Sequence, residues 1–198
     1  MIGKLCALIP LTAAPFPIEK RTRTEPPPLK TRFAVPRSIR PPPGVDFATN
    51  PTVFGAILRG DAPSTRYSET DGLYCFADER PRAPLHALVI PKRYVPTIRQ
   101  LLSSDYNLLS EMRDMALDVI GRERPDALRR GDYLLCFHVP PFNSVDHLHL
   151  HVLAPASEIS YWARNSKYRV GTMWCTGIED AITRLKTGKN AMPPFDMF

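Results

Sequence analysis

Metal and disulfide signals are scarce in this sequence. Its four cysteines, Cys6, Cys75, Cys136 and Cys175, are scattered over 198 residues. None is paired as Cys-x-x-Cys, which excludes a zinc-ribbon module and a disulfide framework and predicts reduced, buried thiols in a cytosol-like compartment. A glycine-rich phosphate cradle is missing too, so a bound phosphate would have to be held by side chains and loop amides. Long apolar runs are also lacking. The stretch from Leu5 to Ile18 is broken by Pro10, Pro15 and Pro17, too interrupted to span a bilayer, so no membrane association is expected. Its prolines and single basic flank, Lys4, also argue against a secretory signal.

Charge is unevenly spread. Residues 1–45 carry eight Lys and Arg against Glu19 and Glu25, which accounts for the whole net charge of +6. The remainder is electrically balanced, so the basic character is no sign that the domain binds nucleic acid. The same 45 residues hold ten of the 22 prolines, with runs at 26–28 and 41–43. Proline at that density prevents helix and central strand. We therefore expect residues 1–45 to be a disordered basic extension and residues 46–198 to form the domain. The location expected is cytoplasmic, or nuclear, with organelle targeting by the extension left open.

Against these absences stands a concentration of histidine. Three of the five histidines fall in His147-Leu148-His149-Leu150-His151, flanked by apolar, β-prone residues. Alternation of this kind predicts a strand with the imidazoles in a row on one face, spaced about 6.6 Å apart, and with Leu148, Leu150 and Val152 facing a core. Imidazole titrates near neutrality and can act as nucleophile, acid or base, so the row predicts a reactive surface. His149, with a neighbour on each side, is the natural attacker. Metal binding is the rival, but three ligands along a flat strand converge poorly and Asp146 is offset to the other face. No metal and no cofactor are expected.

The surrounding pattern predicts an α+β domain. A short helix is expected over residues 53–59, with strands over 66–69, 72–77, 85–91, 132–139 and 147–154, an antiparallel sheet of about five. A long helix should begin at Ser104 or Asp105, bury Leu108, Met112, Met115, Ala116, Val119 and Ile120, and end at Gly121. A final helix should start at the capping box Thr176-Gly177-Ile178-Glu179 and run to Lys186.

Two blocks carry a family resemblance. Pro140-Pro141-Phe142-Asn143-Ser144-Val145-Asp146 followed by the histidine row resembles the active-site signature of the histidine-triad superfamily. Phe76-Ala77-Asp78-Glu79-Arg80-Pro81, leading to His86 and Val89-Ile90-Pro91-Lys92, resembles its nucleotide-binding strand. Phe137-His138 and Tyr168-Arg169-Val170 before Trp174 are similar to the Hint-type adenosine phosphoramidase branch. The resemblance implies a histidine-triad fold, a purine nucleotide substrate of the AMP-derivative type and a homodimer. It implies that His149 attacks the α-phosphate, His151 bonds the phosphate, and Ser144 assists the leaving group. His147 and His86 would support the nucleophile, and Asp78 would grip the ribose. Glu79 stands beside the base position, His138 where relatives carry Asn, and Asn143 near the phosphate. His151 stands where related transferases have Gln, which favours hydrolysis. Adenosine 5′-phosphoramidates are the expected substrates, with adenylylsulfate and dinucleoside polyphosphates as alternatives, or a nucleotide-binding scaffold with a docking tail. Thr52 and Gly55 replace the two cysteines with which many relatives bind structural zinc, so that zinc is expected to be absent.

Overall fold

Local sequence closes the first helix at both ends. In the computed structural model, which describes residues 44–192, α1 spans Val53–Arg59, as expected. The Thr52 hydroxyl accepts the Gly55 N–H at its start, and Gly60 ends it in the left-handed region at φ 85°, where a side chain would be strained. The extension expected over residues 1–45 lies outside the described residues, apart from Gly44 and Val45.

Strands β1 (Arg66–Glu69), β2 (Leu73–Ala77) and β3 (Leu85–Pro91) follow. Next come α2 (Tyr106–Glu123), α3 (Pro125–Arg130), β4 (Leu134–His138) and β5 (Leu150–Ala154). The described chain then runs through α4 (Tyr161–Asn165), β6 (Cys175–Gly177) and α5 (Ile178–Lys186). All the strands join one antiparallel sheet in the order β1-β2-β3-β5-β4-β6.

The sheet has six strands rather than five, because residues 175–177 pair with β4 and set Cys175 opposite His138. Thr176, expected to cap the last helix, is a strand residue opposite Phe137, and Gly177 takes the cap position with no side-chain bond. Ladder pairing satisfies backbone groups that a single cap would leave open, so the capping-box expectation fails. Likewise α2 does not stop at Gly121. It continues to Glu123, and Pro125 at the first turn of α3 forces Arg124 out of helical geometry (φ −143°, ψ 61°). Gly121 instead permits close packing, since a Cβ there would stand 3.2 Å from Leu128 Cδ2. The Asp105 carboxylate accepts the Leu102 N–H and closes the turn before α2; it makes no side-chain cap on α2 itself.

The sheet is covered on both faces. Leu109, Met112, Ala116, Val119 and Ile120 of α2, with Ile178, Ala181, Ile182 and Leu185 of α5, pack on Leu85, Ala87, Val89, Leu150 and Val152. Each of the Leu, Ile, Val and Met side chains contributes on the order of 2 kcal/mol by leaving water, and the alanines less. The opposite face begins with Tyr74, Phe76, Leu88 and Ile90, which pack on Phe54, Ile57 and Leu58 of α1. A strand alternates its faces, so His86 of β3 and His151 of β5 share this second face. Among the described residues no helix is long and apolar enough to cross a membrane.

Gly55 is a point where backbones meet. A Cβ at this position would lie 2.2 Å from the Asn50 carbonyl oxygen. Gly55→Ala should therefore cost about 2–3 kcal/mol of stability. The urea midpoint should fall with the slope unchanged; an unaltered midpoint would show that the Asn50 segment yields freely.

Candidate active site

The histidine row is bent rather than flat. Strand β5 begins at Leu150, so only His151 lies in regular strand, and the expected even row from residue 147 is not formed. The cause is pairing outside the sheet. Leu148 donates its N–H to the Val95 carbonyl in a loop, and the His147 ring is held between Asn50 and the Pro91 carbonyl. The division of faces still holds, for Leu148, Leu150 and Val152 lie in the main core. The rings of His149 and His151 stand 5.0 Å apart, centroid to centroid.

Hydrogen bonds to groups of fixed polarity assign the protons. A carbonyl oxygen only accepts, so His147 Nε2 donates to Pro91 O at 2.9 Å, and its Nδ1 accepts from the Asn50 amide at 2.7 Å. His149 Nδ1 donates to the His147 carbonyl at 2.6 Å, which leaves the lone pair on Nε2, free of any hydrogen bond among the described residues. The Arg82 N–H donates to His86 Nδ1 at 3.2 Å, so the His86 proton sits on Nε2. That proton is donated to His151 Nδ1 at 3.0 Å, with Asp78 Oδ2 alongside at 3.4 Å. His151 must then carry its own proton on Nε2, and this N–H is buried without an acceptor. The hydroxyl of Tyr168, whose ring lies 5.7 Å from that of His151, is buried and unpartnered as well.

Burial keeps the imidazoles neutral. Loss of hydration holds His86, His138 and His147 down at about 4, and holds His149 below the usual histidine range. His151 lies well below that range, through burial first and then through the facing imidazoles. The arrangement is an uncharged nucleophile beside two donors that lack an acceptor, and it can attack an electrophilic centre and hold an oxyanion oxygen.

These groups border a cleft of about 640 Å³. Phe54, Ile57, Phe76 and Leu88 form its apolar part. Of the expected site residues, Asp78, Glu79, Ser144, His149 and His151 line it. His86 and His147 lie behind, as buried hydrogen-bonding partners. Two others are not brought to the cleft lining. Asn143 donates to the Val145 carbonyl and to Asp146 Oδ1, clamping the loop that carries Ser144. His138 bonds the Lys167 carbonyl through Nε2, with its ring 4.4 Å from that of His151.

The chain matches the family described as "Scavenger mRNA decapping enzyme C-term binding" over residues 51–167. It is also 39% identical over 141 residues to the zebrafish (Danio rerio) protein named adenosine 5′-monophosphoramidase HINT3, covering 71% of this chain and 85% of that protein. The chain belongs to the histidine-triad family. A further similar member is the Arabidopsis thaliana protein named bifunctional adenosine 5′-phosphosulfate phosphorylase/adenylylsulfatase HINT4. It is 39% identical over 105 residues, 52% of this chain and 68% of that protein. Among solved structures, a HIT family hydrolase from Legionella pneumophila is similar at 33% identity with a TM-score of 0.47, covering 52% of this chain and 90% of that one.

Within this histidine-triad domain the positions of the family's zinc cysteines do other work. The Thr52 hydroxyl donates to Asn50 Oδ1 at 2.7 Å, and Gly55 leaves the space that Asn50 occupies. Asn50, only 1% exposed, is thus the link from α1 to the His147 ring. Sequence reasoning missed it because a lone Asn before Pro51 reads as a turn residue. Tyr168 was seen only as part of a motif. Two sets of side chains, His138 with His149 and His151, and Asp78 with His86 and His151, have ligand atoms within 4.8 Å of one another. In the second set both nitrogens of His86 are engaged, and the free nitrogen of His151 bears a proton, so a cation would have to displace these hydrogen bonds. This second donor set fits proton and anion handling better than a metal.

Replacing Asn50 by Ala strands a buried imidazole lone pair and the Thr52 donors. Thermal or urea unfolding should register a loss of about 1–3 kcal/mol, and no loss would mean that His147 is held by Pro91 alone. A pH dependence follows from the depressed histidines. The unfolded chain takes up protons near pH 6.5 and the fold near 4. Stability is thus full above pH 6.5, declines as the pH falls through this window, and loses nothing more from these groups below it. Melting temperatures at pH 7, 5.5 and 4 should fall in that order; a flat profile would contradict neutral burial.

Proposed function

We propose that the protein is a nucleotide hydrolase that releases AMP from adenosine 5′-phosphoramidate-type substrates through a nucleotidyl-histidine on His149. The observation that carries this is the 2.6 Å bond from His149 Nδ1 to the His147 carbonyl, which leaves the Nε2 lone pair available to the cleft. The buried, acceptor-free His151 Nε2–H and Tyr168 hydroxyl suit the non-bridging oxygens of an α-phosphate. The apolar walls at Phe54, Ile57, Phe76 and Leu88 suit a purine, and Asp78 at the edge of the cleft suits ribose hydroxyls. The zebrafish relative and its counterparts in Xenopus tropicalis and mouse, each named adenosine 5′-monophosphoramidase HINT3, support the phosphoramidate class.

In the first step Nε2 of His149 bonds to phosphorus as the bond from phosphorus to the departing nitrogen breaks. The electron pair stays on that nitrogen, which takes up a proton with help from the Ser144 hydroxyl. In the second step a water oxygen bonds to phosphorus and its proton returns to the Ser144 hydroxyl, the N–P bond breaks, and the imidazole regains its lone pair. Splitting one displacement into two lowers each barrier. The tautomers set by His147 and His86 need not change at either step, so little reorganisation opposes the reaction.

The test is incubation with a fluorogenic adenosine phosphoramidate, wild type beside His149→Ala, with mass spectrometry of quenched wild type. Wild type alone should turn over and carry an AMP adduct on His149, whereas AMP affinity in the variant should stay within about tenfold. Equal turnover by the variant would remove His149 as nucleophile.

A further inference from the structure

The buried site explains the attack but leaves part of the cleft lining unassigned, and that part is cationic. Arg80, Arg82 and Lys167 line the same cleft as His149 and His151. All three are exposed, and among the described residues none takes part in a salt bridge. The lining holds two carboxylates. Asp78 Oδ2 lies 3.4 Å from His86 Nε2 and 3.9 Å from His151 Nδ1 while its Oδ1 accepts from the Arg80 N–H, so the lining sets three positive charges against two negative ones.

Lys167 is anchored in a way that a chance surface lysine is not. Its carbonyl accepts from His138 Nε2 at 3.1 Å, and the next residue, Tyr168, is 2% exposed among His86, His138 and His151. The backbone is therefore pinned to the histidine cluster, and the ammonium lies 5.7 Å from the centroid of the Tyr168 ring, which lines the same cleft. The charge is felt there, since it helps to lower the pKa of His86, His138, His149 and His151.

Direction follows from the chemistry. His149 lies at the buried floor, and displacement at phosphorus is in line, so the departing group points away from His149 toward the exposed rim. We propose that Lys167, with Arg82, forms a leaving-group subsite that selects adenylated substrates whose departing group is an anion. This rests on the hydrolase reading above and narrows it. The shared chemistry is a carboxylate, sulfate or phosphate on the departing group, as in an AMP amidate of an acidic amino acid, adenosine 5′-phosphosulfate or ADP. A cationic leaving group is disfavoured by the same charges.

The experiment compares kcat/KM for the AMP amidates of γ-aminobutyrate and γ-aminobutyramide, which differ by one carboxylate remote from the P–N bond. Wild type should prefer the carboxylate-bearing amidate by about tenfold, an advantage that salt weakens. Lys167→Ala should bring the ratio near one, and Lys167→Glu should invert it. Adenosine 5′-phosphosulfate and ADP are parallel arms. Lys167-dependent turnover of the first marks sulfate as the departing anion, of the second phosphate, and of neither the carboxylate of the amidate. A wild-type ratio near one, or a preference that survives in both Lys167→Ala and Arg82→Ala, overturns the subsite. Failure of wild type to cleave any of the four compounds overturns the hydrolase reading instead, and this inference falls with it.

Discussion

The bond from His149 Nδ1 to the His147 carbonyl is the constraint on which the site depends. At 2.6 Å it decides where the proton of the central imidazole resides and therefore which nitrogen can attack. That carbonyl is in place because the His147 ring is tied at both nitrogens, to Asn50 and to Pro91. Asn50 is held by Thr52, whose hydroxyl also caps α1. The His149 ring is thus positioned by a chain of neutral hydrogen bonds that reaches into the first helix, and each link uses a donor or acceptor that burial would otherwise penalise.

The second element is the dryness of the face. Five buried imidazoles on one side of a sheet could not all be charged, and desolvation removes that problem by holding them neutral. Neutral imidazoles have directional hydrogen bonds, one donor and one acceptor each, so the cluster behaves as a set of fixed dipoles. His151 ends one branch of the chain with an N–H that has no acceptor. The cationic residues of the cleft lining, Arg80, Arg82 and Lys167, are exposed, where water lowers the cost of keeping their charge. Neutral imidazoles and charged side chains of one cleft are thus separated by burial.

Much of the scaffold was legible from residue patterns. The spans of α1, β1 and β3 follow from caps, turns and alternation, and the α2 stripe from its apolar spacing, except that Leu109 and not the expected Leu108 is the fully buried leucine. The errors share a cause. Thr176 satisfied a helix-cap rule yet went to a strand, because a neighbouring strand offered more backbone partners than a cap could. Gly121 looked like a helix end, but its lack of a side chain serves contact with Leu128, and Pro125 is the true stop. The flat histidine row failed because Val95 and Asn50, distant in sequence, draw the backbone of Leu148 and the ring of His147 away from the strand.

The sequence by itself determined the alternation that sets imidazoles against leucines, the central position of His149, the absence of cysteine ligands at residues 52 and 55, and the membership of the fold class. Those are properties of chemical type and spacing along the chain. The tertiary structure alone decided the tautomers of His147 and His86, the part played by Asn50, and the withdrawal of His138 from the cleft lining. The physical reason is that proton placement and desolvation depend on which groups meet across the fold, and no local pattern encodes a partner such as Asn50, 97 residues from His147.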